Sequence, residues 1–497
     1  MRDRIFLWFG RVVAILICAA LATLAGFSIV EMRGKQRLRT IAERGPSNYV
    51  KQRSATVVLD RVRVIDGTGA ASRDEQSIVI QAGKIAYVGP RVGQPNFPES
   101  EVLDLSGRSV FPGMVALHEH LFTTAPSSNS EHALVEQSTV FPLMYLAAGV
   151  TTMRTAGSIS PERDLKVKQK IDEGTAVGPE MFLTAPYLEG QPPTLPEMHG
   201  LTNAQEARSA VDHWADRGMT SFKAYMNISP QELQEAVRAA HSHGLKITAH
   251  LCSLGFRQAV DLGIDNLEHG LLSDTEFYSK KEPDTCPDFR FYLSEYNAEL
   301  NVQSRPVQDM IRYLVSHHVA ITSTLAVFES ELGGVRPEAD SIRAAHAMTW
   351  KAWRASRERV AAVPAERVNN LLRKEQEFER DFERMGGTLL AGCDPTGDGS
   401  NLAGFGDQRE VELLVDAGFT AAEAIKIATK NGAEFLGIAD QVGTILVGKQ
   451  ADLVVVDGDP ARNISDIKKV DLVFRRGVGY DPLKLMDGIY GVVGLEN

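Results

Sequence analysis

The stretch Phe111-Pro-Gly-Met-Val-Ala-Leu-His118-Glu-His120 reads as an apolar strand closed by two histidines one residue apart. Alternation along a strand turns both imidazoles to one face, and two neutral imidazoles on one face make half of a zinc site. Surface and hydrogen-bonded histidines also occur in this spacing, so the pair gains its weight from three later runs. Lys246-Ile-Thr-Ala-His250 and Asn266-Leu-Glu-His269-Gly are short apolar runs that end in a histidine and then loop, and Thr388-Leu-Leu-Ala-Gly-Cys-Asp394-Pro ends the same way in an aspartate. Polar residues at the C-terminal ends of several parallel strands are how a (β/α)8 barrel builds its chemistry.

Between these runs the chain alternates strands with amphipathic stretches such as Pro230 to Ser242 and Ala421 to Leu436, the rhythm of a parallel barrel. Ser229-Pro-Gln-Glu232 is a helix start, with serine as N-cap, proline at N1 and glutamate at N3. Residues 272 to 310 read as a long loop that shapes a pocket. Residues 335 to 386, with Leu371, Leu372, Phe378, Phe382 and Met385 at helical spacing, read as helices covering the barrel.

The flanks differ. Residues 55 to 66 and 76 to 89, and again 442 to 457 and 470 to 475, are strand-like runs broken by Gly-rich turns. We expect an α/β fold: a (β/α)8 TIM barrel over 112–439, with a composite β-sandwich built from 54–111 and 440–480. A hydrophobic helix precedes them in residues 1–32. Its run from Val12 to Val30 holds nineteen residues without a charge, long enough for a single transmembrane span. A cleaved signal peptide with Ala20-Leu-Ala22 near its cleavage site is the alternative. Arg2, Arg4 and Arg11 precede the run and Arg33, Lys35, Arg37 and Arg39 come after it, so charge does not assign a side. A periplasmic catalytic domain on a membrane anchor is the working expectation.

A formal charge of -11, with no Lys/Arg-rich stripe in the globular part, argues against a nucleic-acid partner. The four cysteines, Cys18, Cys252, Cys286 and Cys393, are too sparse for a disulfide framework, and Cys252 and Cys393 read as buried packing residues.

Taken in order, His118 and His120, Lys223 in Thr220-Ser-Phe-Lys-Ala-Tyr-Met226, His250, His269 and Asp394 resemble the ligand set of the amidohydrolase superfamily over roughly residues 54 to 480. The Gly-x-Ile-x-x-Gly-Lys-x-Ala-Asp-Leu-Val segment after the barrel is similar to that family too. The resemblance is to the imidazolonepropionase-like and Xaa-Pro or Xaa-Arg dipeptidase-like branch. It departs from that pattern at Ala391-Gly-Cys-Asp394, where threonine often precedes the aspartate, and in the loop after the third strand.

The resemblance implies that CO2 carboxylates Lys223 and that the resulting carbamate bridges two divalent ions, most simply Zn2+. A free ammonium has no lone pair to offer. It implies a metal-bridged hydroxide as nucleophile and Asp394 as a proton shuttle, first base and then acid. The implied reaction is hydrolysis of an amide or peptide-like C–N bond in a dipeptide or N-acyl amino acid. A cyclic amide, a lactone or a deaminase-type bond is the alternative for the same site, and a non-catalytic membrane-anchored scaffold is the rival of another class. Tyr225 reads either as a donor to the developing oxyanion or as packing at the barrel mouth. His199 reads as a substrate contact, and Arg154 as a partner for a substrate carboxylate or for a neighbouring acid. Glu119 and Glu268 each neighbour a ligand, so alternation turns them from the metal face. Oligomerisation is left open.

Overall fold

A computed structural model describes residues 30–495 apart from 92–96, 98, 126–132, 288–299, 332–338, 348, 352, 355–364 and 398. Eight short parallel strands form its centre: β1 (Met114–Glu119), β2 (Val150–Thr155), β3 (Glu180–Phe182), β4 (Ser221–Ala224), β5 (Lys246–Ala249), β6 (Asn266–Glu268), β7 (Ala320–Ser323) and β8 (Leu389–Ala391). Ladders join β1 to β2 and β2 to β3, and run without a break from β4 to β8. Bridges from Thr184 to Ser221 and from Leu188 to Ala224 link β3 to β4. The ring closes where the Asp394 N–H donates to the His118 carbonyl at 2.9 Å. Gly392 permits this approach, because a side chain there would run into the His118 backbone.

Helices alternate with the strands and bury their apolar faces on them. Pro230–Ser242 carries the expected capping box, the Ser229 side chain and the Glu232 carboxylate each bonding the other's backbone N–H. Leu233, Ala236, Val237, Ala239 and Ala240 of this helix are buried at the spacing that 3.6 residues per turn dictates. Ala365–Arg384 covers β7 and β8, with Leu371, Phe378 and Phe382 buried, while Met385 just beyond it is 37 % exposed.

Both flanks contribute to one β layer. It is a single nine-stranded sheet, taking in Val50–Gln52 and Val478–Tyr480 as well as the anticipated strands. Its two halves curl over one apolar core that includes Val57, Leu59, Ile78, Leu453 and Phe474. The expected sandwich is therefore a folded-over sheet, held by hydrogen bonds between Ile85 and the 448–449 turn.

The expected hydrophobic helix, with its anchor or signal role, lies outside the described residues as far as residue 29. Residues 30–43 are helical; Leu38 and Ile41 are buried, and Arg44 pairs with Asp487 at 2.9 Å. Among the described residues no helix is long and apolar enough to cross a membrane. Cys252 is not the lone packing residue expected: it forms a disulfide with Cys286, 34 residues on. That bond ties the loop after β5 to the loop after β6. Cys393 is free and buried.

Candidate metal centre and active-site cavity

Four imidazoles, one lysine and one carboxylate meet at the C-terminal mouth of the ring. His118 on β1 and Lys223 on β4 come from strands, and His120 and His250 from the first residues beyond β1 and β5. His269 and Asp394 arrive differently. Both are in the left-handed backbone region, at φ 69° and 49°, which few non-glycine residues adopt and which the surrounding structure must hold. Strand alternation does not aim these two side chains; a turn does.

The ligand atoms of His118, His120 and Asp394 lie within 4.8 Å of one another. Asp394 Oδ2 is 3.4 Å from His118 Nε2 and 3.9 Å from His269 Nε2, and Oδ1 is 3.4 Å from His120 Nε2. Lys223 Nζ is 3.1 Å from His118 Nε2. The His250 and His269 rings stand edge to face with centroids 4.4 Å apart. His269 Nε2 and His120 Nδ1 are buried with no hydrogen-bond partner. A buried ring nitrogen without a partner is costly, and at the Nε2 of His269, beside the Asp394 carboxylate and the imidazoles of His118 and His250, a divalent cation is the fitting partner.

The protonation states suit a cation. Burial keeps all four histidines neutral, lowering His120 to about 4 and His250 to about 3, with the Lys223 charge adding to the effect on His118 and His250. Burial opposes ionisation of Asp394, yet His118 and His120 around it hold its pKa well below the usual carboxylate range. Burial brings Lys223 down to about 8, against the pull of Glu268 and Asp394.

Beneath this floor lies a support that strand alternation alone does not disclose. Glu268 ends β6 and its side chain stays inside the barrel, where Oε2 meets His118 Nδ1 at 2.7 Å. Its other oxygen accepts from Arg154 Nη2 at 2.6 Å and from the Thr248 hydroxyl at 2.5 Å. Burial disfavours the Glu268 charge, but Arg154 and His118 hold its pKa well below normal. A carboxylate on the far nitrogen of a ligating histidine fixes its tautomer and raises its basicity. Arg154 is thus committed to a neighbouring acid, to Asn266 and to the Leu117 carbonyl, and its side chain is 2 % exposed, so it does not reach a substrate. His199 also departs from its expected role: its side chain is 75 % exposed, paired with Glu206 at 2.7 Å, and absent from the cavity wall. Glu119 turns behind β1, where it accepts from the Cys393 N–H at 2.9 Å and thiol at 3.0 Å.

Above the floor is a cavity of about 510 Å³, in the range for a small organic substrate. Tyr225 lines it just past the end of β4, its ring 5.6 Å from Lys223 Nζ. Tyr187 stands edge-on to Tyr225 at 4.9 Å and at the same 5.6 Å from Lys223, a wall residue that sequence reasoning missed because β3 stops five residues earlier. The hairpin of Phe122–Ala125 and Ala133–Glu136 adds Phe122, Thr124 and Leu134, and residues 194–198 add another side.

Residues 344–478 match the Amidohydrolase family, a stretch that includes Asp394 and the returning flank strands. Imidazolonepropionase of Sphingopyxis alaskensis aligns over 490 positions at 22 % identity, covering 88 % of this chain and 96 % of that protein. The chain is thus similar to members of the amidohydrolase family in its C-terminal part and to imidazolonepropionase along most of its length. Among solved structures, the chain resembles a Xaa-Pro dipeptidase with methionine bound in its active site, at TM-score 0.63 and 20 % identity over 86 % of this chain and all of that one. It also resembles bottromycin amidohydrolase, at TM-score 0.67 and 20 % identity, covering 93 % and 97 % of the two chains. A shorter match to adenine deaminase of a Ruegeria species, 35 % identical over 86 residues, covers 17 % of this chain and 13 % of that protein. Among the described residues, His118, His120 and Asp394 form a compact buried group that could hold a metal ion.

Proposed function

We propose that this protein is an amidohydrolase that hydrolyses an amide or peptide-like C–N bond in a small molecule, a dipeptide or N-acyl amino acid, at the floor of the cavity. The observation that carries the reading is the buried convergence of four neutral imidazoles, Asp394 and Lys223 below a substrate-sized space. His118, His120, His250, His269 and Asp394 would hold two divalent ions, with Lys223 as a carbamate between them. A lysine at about pKa 8 supports the carbamate, because only the free amine reacts with CO2 and a lysine near its usual pKa of about 10.4 is almost wholly protonated at neutral pH. When bound, the ions supply Lewis acidity and make water a competent nucleophile at neutral pH.

The protein's own residues complete the reaction. Asp394 is ionised, and its Oδ1 accepts from the Thr396 hydroxyl at 2.6 Å, which orients the carboxylate. It takes a proton from the attacking water and delivers it to the leaving nitrogen, which departs as a neutral amine. Tyr225, which lines the cavity, would donate to the oxygen that gains charge in the transition state. Glu268 and Arg154 hold His118 in the tautomer that keeps Nε2 free.

A cyclic C–N bond, as in an imidazolone ring, is the second reading for the same residues, favoured by the full-length likeness to imidazolonepropionase. A panel of dipeptides, N-acyl amino acids and cyclic amides, assayed on the zinc-supplemented full chain and on Asp394→Asn, separates the two. Turnover of linear amides that is lost in Asp394→Asn supports the first reading, and turnover confined to cyclic amides replaces it with the second.

We also propose that the catalytic domain works on the oxidising, extracytoplasmic side of a membrane, with residues 1–32 as anchor or signal. The Cys252–Cys286 disulfide supports this, since such bonds persist outside the reducing cytoplasm.

A further inference from the structure

We propose that Glu197, at the mouth of the cavity, selects substrates whose end remote from the scissile bond is cationic, an alkylammonium or a guanidinium. The inference rests on the hydrolase reading for where the scissile bond lies, and it narrows that reading. N-acyl amino acids, which end in a carboxylate, become poorer substrates than amides with a free amine or guanidine.

The loop that carries Glu197 is built before any substrate arrives. Glu189 is fully buried and its carboxylate gathers the loop onto itself, accepting from the Gly190 N–H at 2.9 Å, the Thr194 hydroxyl at 2.6 Å and the Asn227 N–H at 2.7 Å. Asn227 Nδ2 donates back to the Pro192 carbonyl at 2.8 Å, and Gln191 Nε2 to the Gly200 carbonyl at 2.6 Å. This frame turns Leu195 and Met198 into the cavity wall and leaves Glu197 exposed at its rim.

Charge then decides. Among the described residues, none forms a hydrogen bond or ion pair with Glu197. The only lysine or arginine among the described lining residues is Lys223, down at the metal floor. A substrate carboxylate at the mouth therefore meets Glu197 with no cation to offset it, whereas a cation meets a free carboxylate. Phe122, Tyr187, Tyr225 and Phe328 also line the space, and aromatic faces attract cations. Discrimination of this kind comes as much from repelling the wrong charge as from attracting the right one.

The test uses a pair of ligands alike in shape and different in charge, phenethylguanidine and phenethylurea, with binding measured by calorimetry on the zinc-loaded full chain. The guanidinium is expected to bind about fivefold tighter, the scale of a partly exposed ion pair, with the ratio shrinking in high salt. Glu197→Gln should bring the ratio to about one and Glu197→Lys should invert it, while Glu197→Asp keeps the preference and guards against misfolding. Equal or tighter binding of the urea by the unmodified chain overturns the proposal. So does a preference that survives both Glu197→Gln and Glu197→Lys. Loss of the hydrolase reading would look different: no amide turned over by the metal-loaded chain, with the Glu197-dependent preference intact.

Discussion

Glu268 shows how a residue can govern a metal site from one bond away. Its carboxylate spans His118 and Arg154 with both charges out of water. Glu268→Gln keeps the shape but weakens the hold on Nδ1, and we expect metal affinity to fall about 10- to 100-fold, the usual effect of losing such a partner, measured by competition with a chelator. Arg154→Met should act on stability instead. It strands the buried Glu268 charge at a cost of about 3–5 kcal/mol, read from denaturant unfolding of the metal-free chain. A drop in affinity with Arg154→Met and no change in stability would contradict that division of labour. Alternation along β6 kept Glu268 from being read as a ligand, but it could not reveal that His118 would lie across the barrel from it. For Arg154 the sequence left two partners open, a substrate carboxylate or a neighbouring acid, and the pairing with Glu268 is the second of them.

At the scale of elements, the helices Ala365–Arg384 and Phe405–Asp416 bring three glutamates into the interior. Glu375 takes the N–H groups of Leu271 and Leu272 at 3.0 and 2.7 Å, just beyond His269, while Glu379 and Glu410 share the Ser323 hydroxyl at 2.8 and 2.5 Å. Burial raises Glu375 to about 8 and Glu410 to about 7, and pushes Glu379 well above its ordinary value of 4.5. The folded chain therefore binds more protons here than the unfolded chain does. The stability these groups contribute is fully present below about pH 4.5 and is lost as pH rises through 7 to 8. The thermal midpoint should fall over that window, and Glu410→Gln should flatten the fall; a midpoint that rises with pH through the same range would refute the assignment. The strands and capped helices were readable because periodicity and capping are local. The curl of the flanking sheet, the left-handed turns at His269 and Asp394, and the buried glutamates depend on contacts between distant segments, which no local pattern encodes.

The whole molecule places a substrate-sized cavity on a ring of strands and fastens its rim. The disulfide between Cys252 and Cys286 closes a 34-residue loop next to His250, and by chain entropy such a closure is worth about 3–4 kcal/mol. Reduction, or Cys286→Ser, should lower the unfolding midpoint accordingly; an unchanged midpoint would mean the loop is held by its other contacts. Sparse cysteines gave no hint of this pairing, since it is the packing of two barrel loops that brings them together. The convergence of His118, His120, Lys223, His250, His269 and Asp394, by contrast, was legible as an ordered series, because each lies near or just beyond the C-terminal end of a strand of one parallel ring. The measurement that tests the central claim most directly is the metal content per chain, by elemental analysis, of the zinc-supplemented protein and of Lys223→Ala. Two equivalents in the first and a marked loss in the second are predicted for a lysine carbamate that bridges two ions. One equivalent in both would contradict the bridge.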